Sequence, residues 1–256
     1  MKLHTYYRSS AAYRVRIAMA LKGLDYDSVF HHLRRGEQAA EPYRSLNPQK
    51  LVPALEGEGA VITQSLAIIE YLEETHPAPP LLPPDPAGRA RVRSIALSIA
   101  CEIHPINNLR VLRYLRTPMG HDEAAIEAWY RHWVAEGLSA LETQLSRSPQ
   151  TGAFCHDSMP TIADCCLIPQ LYNARRFDCD LNPYPTLLGI EERAVALPAF
   201  AEAAPERQVL LGRERAEGGS APANGRRGHV PPEPRRLRAL AVRVGEDVEI
   251  GERELP

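Results

Sequence analysis

A proline-rich segment divides the chain into two parts of different character. Residues 77–86 read Pro-Ala-Pro-Pro-Leu-Leu-Pro-Pro-Asp-Pro. Proline fixes one backbone torsion and has no amide hydrogen to donate, so such a segment continues neither a helix nor a central strand. It is typical of a stiff linker. We therefore predict one domain on each side of it, which suits a chain of 256 residues.

Before the linker, strand and helix patterns alternate. The predicted order is strand, helix, strand, short helix, strand, strand and helix, at residues 2–6, 15–21, 26–32, 39–46, 50–55, 60–62 and 64–74. The first two strands, joined by a crossover helix, are expected to be parallel, and the last two to form a hairpin. Pro53 interrupts an apolar run, so it marks an edge, a strand start or a cis peptide bond in a tight turn. This order predicts a small α/β domain of thioredoxin-like topology.

After the linker, the pattern is helical and no strand is predicted. Helices are expected at residues 89–103, 107–114, 123–145, 161–176 and 186–196. Pro105 ends or kinks the first of them. Thr161 and Asp164 form a capping-box pattern at the start of the fourth. Trp129 and Trp133 share one face of the third, where they are expected to anchor it to its neighbours.

The composition limits the classes of partner that the protein can bind and indicates its cellular compartment. The net charge of -2 gives no case for a nucleic-acid or membrane-surface partner, and no run reaches the roughly 20 apolar residues of a membrane span. We expect a cytoplasmic protein because the first residues show no signal sequence. Five cysteines, without CxxC-and-histidine spacing, predict neither a disulfide framework nor a metal site. Residues 213–256 are rich in glycine and charge, and we predict a disordered tail there.

The junction between the first strand and the first helix is the most informative stretch for function. Ser9 and Ser10 lie where free backbone N–H groups and the positive end of a helix dipole favour an anion. Arg8, Arg14 and Arg16 add positive charge around them. The simpler interpretation is a helix cap followed by a basic first turn. For Arg14 and Arg16 we expect salt bridges to the helical domain.

Several motifs, in the right order along the chain, resemble one family. The segment Arg8-Ser-Ser-Ala-Ala-Tyr-Arg-Val-Arg-Ile-Ala18 is similar to the signature of the zeta class of glutathione transferases. Leu51-Val-Pro-Ala-Leu55 resembles the loop whose cis-proline exposes backbone to glutathione. Gln64-Ser65, followed by an apolar helix, resembles the site that holds the γ-glutamyl end of glutathione. The layout of an α/β domain, a proline linker and an all-α domain is also that of soluble glutathione transferases.

Two further segments are similar to parts of bacterial maleylacetoacetate and maleylpyruvate isomerases. They are His104-Pro-Ile-Asn-Asn-Leu-Arg110 and Asn173-Ala-Arg-Arg-Phe177. The resemblance covers residues 1 to about 210. It implies a thioredoxin-like glutathione-binding domain at residues 1–80 and an all-α substrate-binding domain at residues 87–210. It also implies a homodimer.

The activity that the resemblance implies is a glutathione-dependent cis–trans isomerisation of maleylacetoacetate or maleylpyruvate. A nucleophile adds to the conjugated double bond, the resulting single bond rotates, and the nucleophile leaves. Many zeta-class members have a cysteine where this chain has Ala11, so the nucleophile is expected to be the sulfur of glutathione itself. Ser9 or Ser10 would donate a hydrogen bond to that thiolate.

The resemblance also assigns the remaining site residues. Arg8 and Arg176 are expected to bind the carboxylates of a small dicarboxylate substrate, because a guanidinium can bind a carboxylate in two places. Arg110 is a candidate for the same role or for the glutathione site. The expected glutathione-binding residues are Ser9, Ser10, Ala11, Gln38, Val52, Gln64, Ser65, His104, Asn108 and Arg110.

Two other functions remain open from the sequence. A glutathione conjugase or dehalogenase acting on small haloacids would use the same thiolate and arginines. A non-catalytic glutathione-binding module is the other alternative, and Ala11 is the feature that favours it. The sequence does not separate maleylacetoacetate from maleylpyruvate, since both carry a cis enone and carboxylates.

Overall fold

The computed structural model describes residues 1–208, and the predicted tail at 213–256 lies outside them. The strands are β1 (Lys2–Thr5), β2 (Asp27–Phe30), β3 (Ala54–Gly57) and β4 (Ala60–Thr63). They form one sheet in the order β2-β1-β3-β4. β1 is parallel to β2 and antiparallel to β3, and β3 and β4 form a hairpin. The predicted parallel pair and hairpin are confirmed.

Helices accompany the sheet, and further helices follow the linker. The first set is α1 (Ser10–Leu21), α2 (Tyr43–Leu46) and α3 (Ser65–Thr75). The second set is α4 (Pro86–Leu97), α5 (Leu109–Arg116), α6 (Glu123–Ser146), α7 (Ile162–Arg176), α8 (Pro185–Val195) and α9 (Pro198–Ala203). No strand follows Thr63 within residues 1–208. The predicted fold class, a thioredoxin-like α/β part followed by an all-α part, is confirmed.

Helix α1 packs between the α/β part and the helical part. It contacts α3 on the sheet side and α7 and α9 of the helical part. Covered on both sides, it buries nearly every residue from Ala12 to Met19. The N-terminus of α1, which carries the serines, is therefore fixed at the boundary between the two parts.

Three predicted helices differ from those observed. The helix predicted at 15–21 begins earlier, at Ser10, where Ser9 caps it. The helix predicted at 89–103 begins earlier, at Pro86, because Asp85 caps it by accepting a hydrogen bond from the Gly88 amide at 2.7 Å. It then passes into a π-helical turn at Ser98–Ile103 before Pro105. The helix predicted at 39–46 shortens to Tyr43–Leu46, because Pro42 lies inside the predicted span.

Other local predictions are confirmed. The Val52–Pro53 peptide bond is cis, and β3 begins directly after it. Asp164 accepts hydrogen bonds from the Thr161 amide and the Cys155 amide, each at 2.8 Å. The rings of Trp129 and Trp133 lie 5.7 Å apart, and Trp129 Nε1 donates to the Ile106 carbonyl at 3.0 Å.

The thiols at Cys155, Cys165 and Cys166 are buried. Among residues 1–208, no group of three or more metal-ligating side chains could hold a metal ion. Within the same range, every helix is too short or too polar to cross a membrane.

Candidate active site

Two adjoining cavities lie where the N-terminus of α1 meets the helical part. The first has a volume of about 430 Å³ and the second about 190 Å³. They share seven lining residues, which are Ala11, Gln49, Leu51, Val52, His104, Asn108 and Arg110. The two cavities therefore form one continuous site with a larger and a smaller end.

The predicted site residues all border these cavities. The first cavity is lined by Arg8, Ser9, Ser10, Ala11, Gln38, Val52, His104, Asn108, Arg110 and Arg176. The second is lined by Gln64 and Ser65, together with several of the shared residues. The structure thus brings together side chains from six separate segments of the chain, and the role of each remains a prediction.

The two serines have different environments. Ser9 caps α1, and its Oγ accepts a hydrogen bond from the Ala12 amide at 3.2 Å. Accepting leaves the hydroxyl hydrogen of Ser9 free to be donated to an anion in the cavity. Ser10 is 4% exposed, and its enclosed Oγ has no hydrogen-bond partner among residues 1–208. Ser9 is therefore the serine whose hydroxyl is better placed to reach a ligand.

The loop before β3 is held by side chains behind it. The Leu51 carbonyl accepts hydrogen bonds from the Tyr43 hydroxyl at 2.6 Å and from Asn47 Nδ2 at 2.7 Å. Asn47 and Tyr43 are both buried. Val52, the next residue, lines both cavities and precedes the cis bond to Pro53. Its backbone is consequently fixed at the wall of the site.

The N-terminus of α3 borders the second cavity. Gln64 takes the cap position with a left-handed φ of 72°, but its side chain makes no capping bond. Its Nε2 instead donates to Gln49 Oε1 at 2.7 Å. Ser65, the first residue of the helix, accepts a hydrogen bond on Oγ from Arg14 Nη1 at 3.2 Å. The amides of the first turn are thus not capped by the side chain of Gln64, and they favour an anion there.

The first cavity is strongly basic. Six cationic side chains line it, which are those of Arg8, Arg34, Lys50, Arg110, Arg113 and Arg176. No aspartate or glutamate of residues 1–208 lines either cavity. Burial lowers the pKa of the Arg176 guanidinium, and the nearby charge of Arg8 lowers it further. The cavity therefore favours ligands with more than one negative charge.

His104 borders both cavities as a neutral ring. Burial lowers its pKa to about 3, and the charges of Arg14 and Arg110 act in the same direction. At neutral pH its imidazole can donate one hydrogen bond and accept another, and it adds no charge to the site.

Arg34 and Arg113 line the first cavity but are not among the site residues predicted from the sequence. Arg113 follows Arg110 by three residues on α5, so helical spacing could have placed both at the cavity. Its Nη2 donates to the carbonyls of Leu33 at 3.4 Å and Arg34 at 3.3 Å. It thereby connects the helical part to the segment after β2. Arg34 lies in a 3₁₀ turn at Leu33–Arg35, for which the sequence carries no functional signal.

The expected salt bridges of Arg14 and Arg16 are wrong. Arg16 is 1% exposed and bonds oxygens that carry no charge, at Ala203 (3.0 Å), Tyr7 (3.1 Å) and Thr5 (3.2 Å). Arg14 bonds the Ser65 hydroxyl. Because α1 is enclosed on both sides, the acceptors within reach are backbone carbonyls and hydroxyls.

The site suits glutathione on its own evidence. Gln38 Oε1 and the Ser10 hydroxyl are enclosed, and neither has a hydrogen-bond partner in the described part of the chain. The cations and the helix N-termini match a ligand that carries carboxylates and a thiolate.

Comparisons with known proteins agree with this chemistry. Residues 8–75 match the family model described as "Glutathione S-transferase, N-terminal domain". A maleylpyruvate isomerase from Ralstonia sp is 47% identical over 208 residues, covering 81% of this chain and 98% of the relative. A probable maleylacetoacetate isomerase from Vibrio cholerae is 50% identical, with coverages of 80% and 96%.

Solved structures give the same result. The holo structure of a maleylpyruvate isomerase, described as a bacterial zeta-class glutathione S-transferase, superposes with a TM-score of 0.80 at 47% identity, covering 81% of this chain and 98% of that one. A maleylacetoacetate isomerase from Methylobacterium extorquens AM1, solved with malonate and glutathione, gives 0.79 at 43% identity, with the same coverages. The chain therefore belongs to the zeta class of glutathione transferases, the family of the maleylacetoacetate and maleylpyruvate isomerases.

Proposed function

We propose that this protein is a glutathione-dependent cis–trans isomerase of maleylacetoacetate or maleylpyruvate. One observation carries the proposal: the cap Ser9 and the pair Arg8 and Arg176 line the same cavity, which no carboxylate of residues 1–208 lines. In such a site, a hydroxyl that can donate a hydrogen bond to a thiolate lies beside two arginines that can bind a dicarboxylate. The relatives from Ralstonia sp and Vibrio cholerae, a maleylpyruvate isomerase and a probable maleylacetoacetate isomerase, support the assignment.

Ser9 and the N-terminus of α1 prepare the nucleophile. Glutathione supplies a thiolate that adds to the cis double bond and departs after rotation. The Ser9 hydroxyl donates a hydrogen bond toward the sulfur, and the helix dipole favours its negative charge. Ala11 offers no thiol of its own in this cavity.

The arginines orient the substrate and stabilise developing charge. Arg8 and Arg176 bind a carboxylate of the substrate and hold the double bond close to Ser9. When electron density moves onto the conjugated carbonyl oxygen, the same positive charges stabilise it more strongly than they stabilise the ground state. Asn173 Oδ1 accepts from Arg176 Nη1 at 3.2 Å and limits the movement of that guanidinium.

The other lining residues hold glutathione. Gln64 and Ser65 take the γ-glutamyl carboxylate at the N-terminus of α3. The backbone of Val52 pairs with the cysteinyl part as a short strand would. Gln38 binds the glycyl end. His104, Asn108 and Arg110 close the site from the helical part, with Ala11 beneath the sulfur.

Quaternary structure, domain limits and compartment belong to the same proposal. The protein acts as a cytoplasmic homodimer, with a glutathione-binding domain at residues 1–80 and a substrate-binding domain at residues 87–210. Sedimentation equilibrium tests the dimer, because the mass of one chain is 28.5 kDa and the dimer has twice that mass.

The decisive experiment is a rate measurement with purified protein. With glutathione present, maleylpyruvate and maleylacetoacetate should be converted to their fumaryl isomers, and omission of glutathione should abolish the conversion. A chloroacetate reaction run in parallel tests the haloacid alternative. If neither maleyl compound is isomerised faster than with glutathione alone, the proposal is wrong.

A further inference from the structure

Arg14 is a buried cation whose hydrogen bonding is incomplete. It is 2% exposed, and Nη1 donates to Ser65 Oγ at 3.2 Å. Its Nε and Nη2 have no hydrogen-bond partner within the described part of the chain. Burial lowers the pKa of the guanidinium, and the groups that act in the opposite direction are the thiols of Cys166 and Cys101. Burial raises the pKa of Cys166 to about 11, so that thiol is neutral at physiological pH.

Such a charge is costly without a counterion. An ionised group taken out of water loses its hydration, and a guanidinium gives up its proton too reluctantly to avoid this loss. Arg16, on the same helix and equally buried, is bonded through Nε, Nη1 and Nη2. Arg14 differs because its one hydrogen bond within residues 1–208 leads to a side chain that borders the second cavity.

The surroundings show where a counterion would lie. The second cavity is lined by Arg14, by Ser65 and by the N-terminal residues of α3. No acidic side chain of residues 1–208 lines it. The positive end of the α3 dipole and the Arg14 charge therefore act on the same small volume, and both favour a carboxylate.

We propose that Arg14 is a positioning residue for the α-carboxylate at the γ-glutamyl end of glutathione. Because Ser65 Oγ accepts from Arg14, the Ser65 hydroxyl hydrogen is directed away from the guanidinium and toward the cavity. Ser65 donates this hydrogen to the carboxylate. Arg14 lies behind Ser65 and compensates the negative charge of the carboxylate without touching glutathione. The inference rests on the proposed function, which assigns the second cavity to this end of glutathione.

The test compares three ligands by calorimetry, so that it does not depend on turnover. One is S-methylglutathione, and the second is its analogue with γ-aminobutyrate in place of the γ-glutamyl residue, which keeps the amine and lacks only the α-carboxylate. A third, the γ-glutamyl α-amide, keeps the amine and removes only the carboxylate charge. Wild-type protein should bind S-methylglutathione roughly tenfold or more tightly than the amide.

Variants then assign that preference to Arg14. Arg14→Met should bind S-methylglutathione and the amide with similar, weak affinity, and Arg14→Lys should recover part of the preference. Ser65→Ala should also reduce it. A purely structural role would lower the melting temperature and weaken all ligands alike, leaving the preference intact.

The outcomes separate this proposal from the proposed function. If wild-type protein binds none of the ligands, the assignment of glutathione fails. If it binds S-methylglutathione and the amide equally, the inference about Arg14 alone is overturned. The same holds if Arg14→Met keeps the wild-type preference. If the Arg14 variants do not fold, Ser65→Ala in otherwise wild-type protein decides, and an undiminished preference there overturns the inference.

Discussion

Arg8 lies close enough to Arg176 for its positive charge to lower the pKa of the Arg176 guanidinium, which burial has already lowered. Two like charges held side by side in a cavity without lining carboxylates repel each other in the absence of an anion. A dicarboxylate removes that repulsion. The pair should therefore contribute to substrate affinity far more than to the stability of the protein.

Replacing Arg176 should damage substrate binding selectively. We expect Arg176→Ala to raise the KM for the maleyl dicarboxylate by roughly ten- to a hundredfold, as expected for the loss of a charge-assisted hydrogen bond. The KM for glutathione should change much less. Steady-state kinetics with each substrate varied in turn measures both values.

Arg175 provides the matched control for that experiment. It is the neighbouring arginine, but it is exposed and ion-paired with Glu191 outside the cavities. Arg175→Ala should leave both KM values near those of the wild-type protein. Equal increases in the two KM values for Arg176→Ala would contradict a role in substrate binding.

Ser9→Ala and Ser10→Ala should differ in their effect on the thiol pKa of bound glutathione. Ser9→Ala removes the helix cap and the donor to the sulfur, so it should raise the pKa of bound glutathione and cost about 1 kcal/mol of stability. Ser10→Ala removes an enclosed hydroxyl that has no partner, so it should change neither quantity much. Ultraviolet absorbance of the thiolate against pH and urea unfolding measure the two effects. A raised thiol pKa in Ser10→Ala but not in Ser9→Ala would reverse the assignment.

The fold can be predicted from the sequence because the decisive signals are local. The proline-rich linker, the alternation before it and the cis-proline loop at Val52 each depend on neighbouring residues. Ser9 was found for the same reason, since a strand followed at once by a helix exposes its cap. The family resemblance then added residues that lie far apart in the chain.

The features that could not be predicted from the sequence depend on how the α/β part and the helical part pack together. Arg113 reaches the carbonyls of Leu33 and Arg34 only because α5 lies across the cavity from the segment after β2. The burial of Arg14 follows from the covering of α1 on both sides, whereas a charged residue in a helix is ordinarily solvated. No local pattern contains that information.

His104 should make the protein less stable in mild acid. Its pKa is about 3 in the folded protein and near 6.5 in an unfolded chain. Between these values the unfolded chain binds more protons, so the free energy of unfolding decreases as the pH falls from about 6.5 toward 3. His104→Asn should reduce that decrease, as measured by urea unfolding at pH 7.0 and 5.0 (both about 25 °C).

An exposed histidine serves as the comparison for His104. His121 lies in the turn before α6 and is solvent-exposed. His121→Asn should keep the wild-type loss of stability between the two pH values. A His104→Asn variant with the full wild-type loss would mean that other groups account for the acid sensitivity. His31, whose pKa is also lowered by burial, is the next to test.

Gly137 should be intolerant of alanine because of the turn that carries His104. A Cβ atom at Gly137 would collide with the Cγ1 and Cδ1 atoms of Ile103, which is 2% exposed and ends the π-helical turn just before His104. Gly137→Ala should therefore cost about 1–3 kcal/mol through overpacking, although alanine is the better helix former.

Gly189 in α8 is the matched control, since its Cβ would meet nothing closer than Arg193 Nη1 at 3.6 Å. Gly189→Ala should be neutral or stabilise the protein by up to about 1 kcal/mol. Adding Ile103→Val to Gly137→Ala should recover part of the loss, because it removes the Cδ1 atom from the collision. Urea unfolding of the four proteins measures these differences, and equal stability of the two alanine variants would show that α6 and the π-helical turn do not pack as closely as the structure places them.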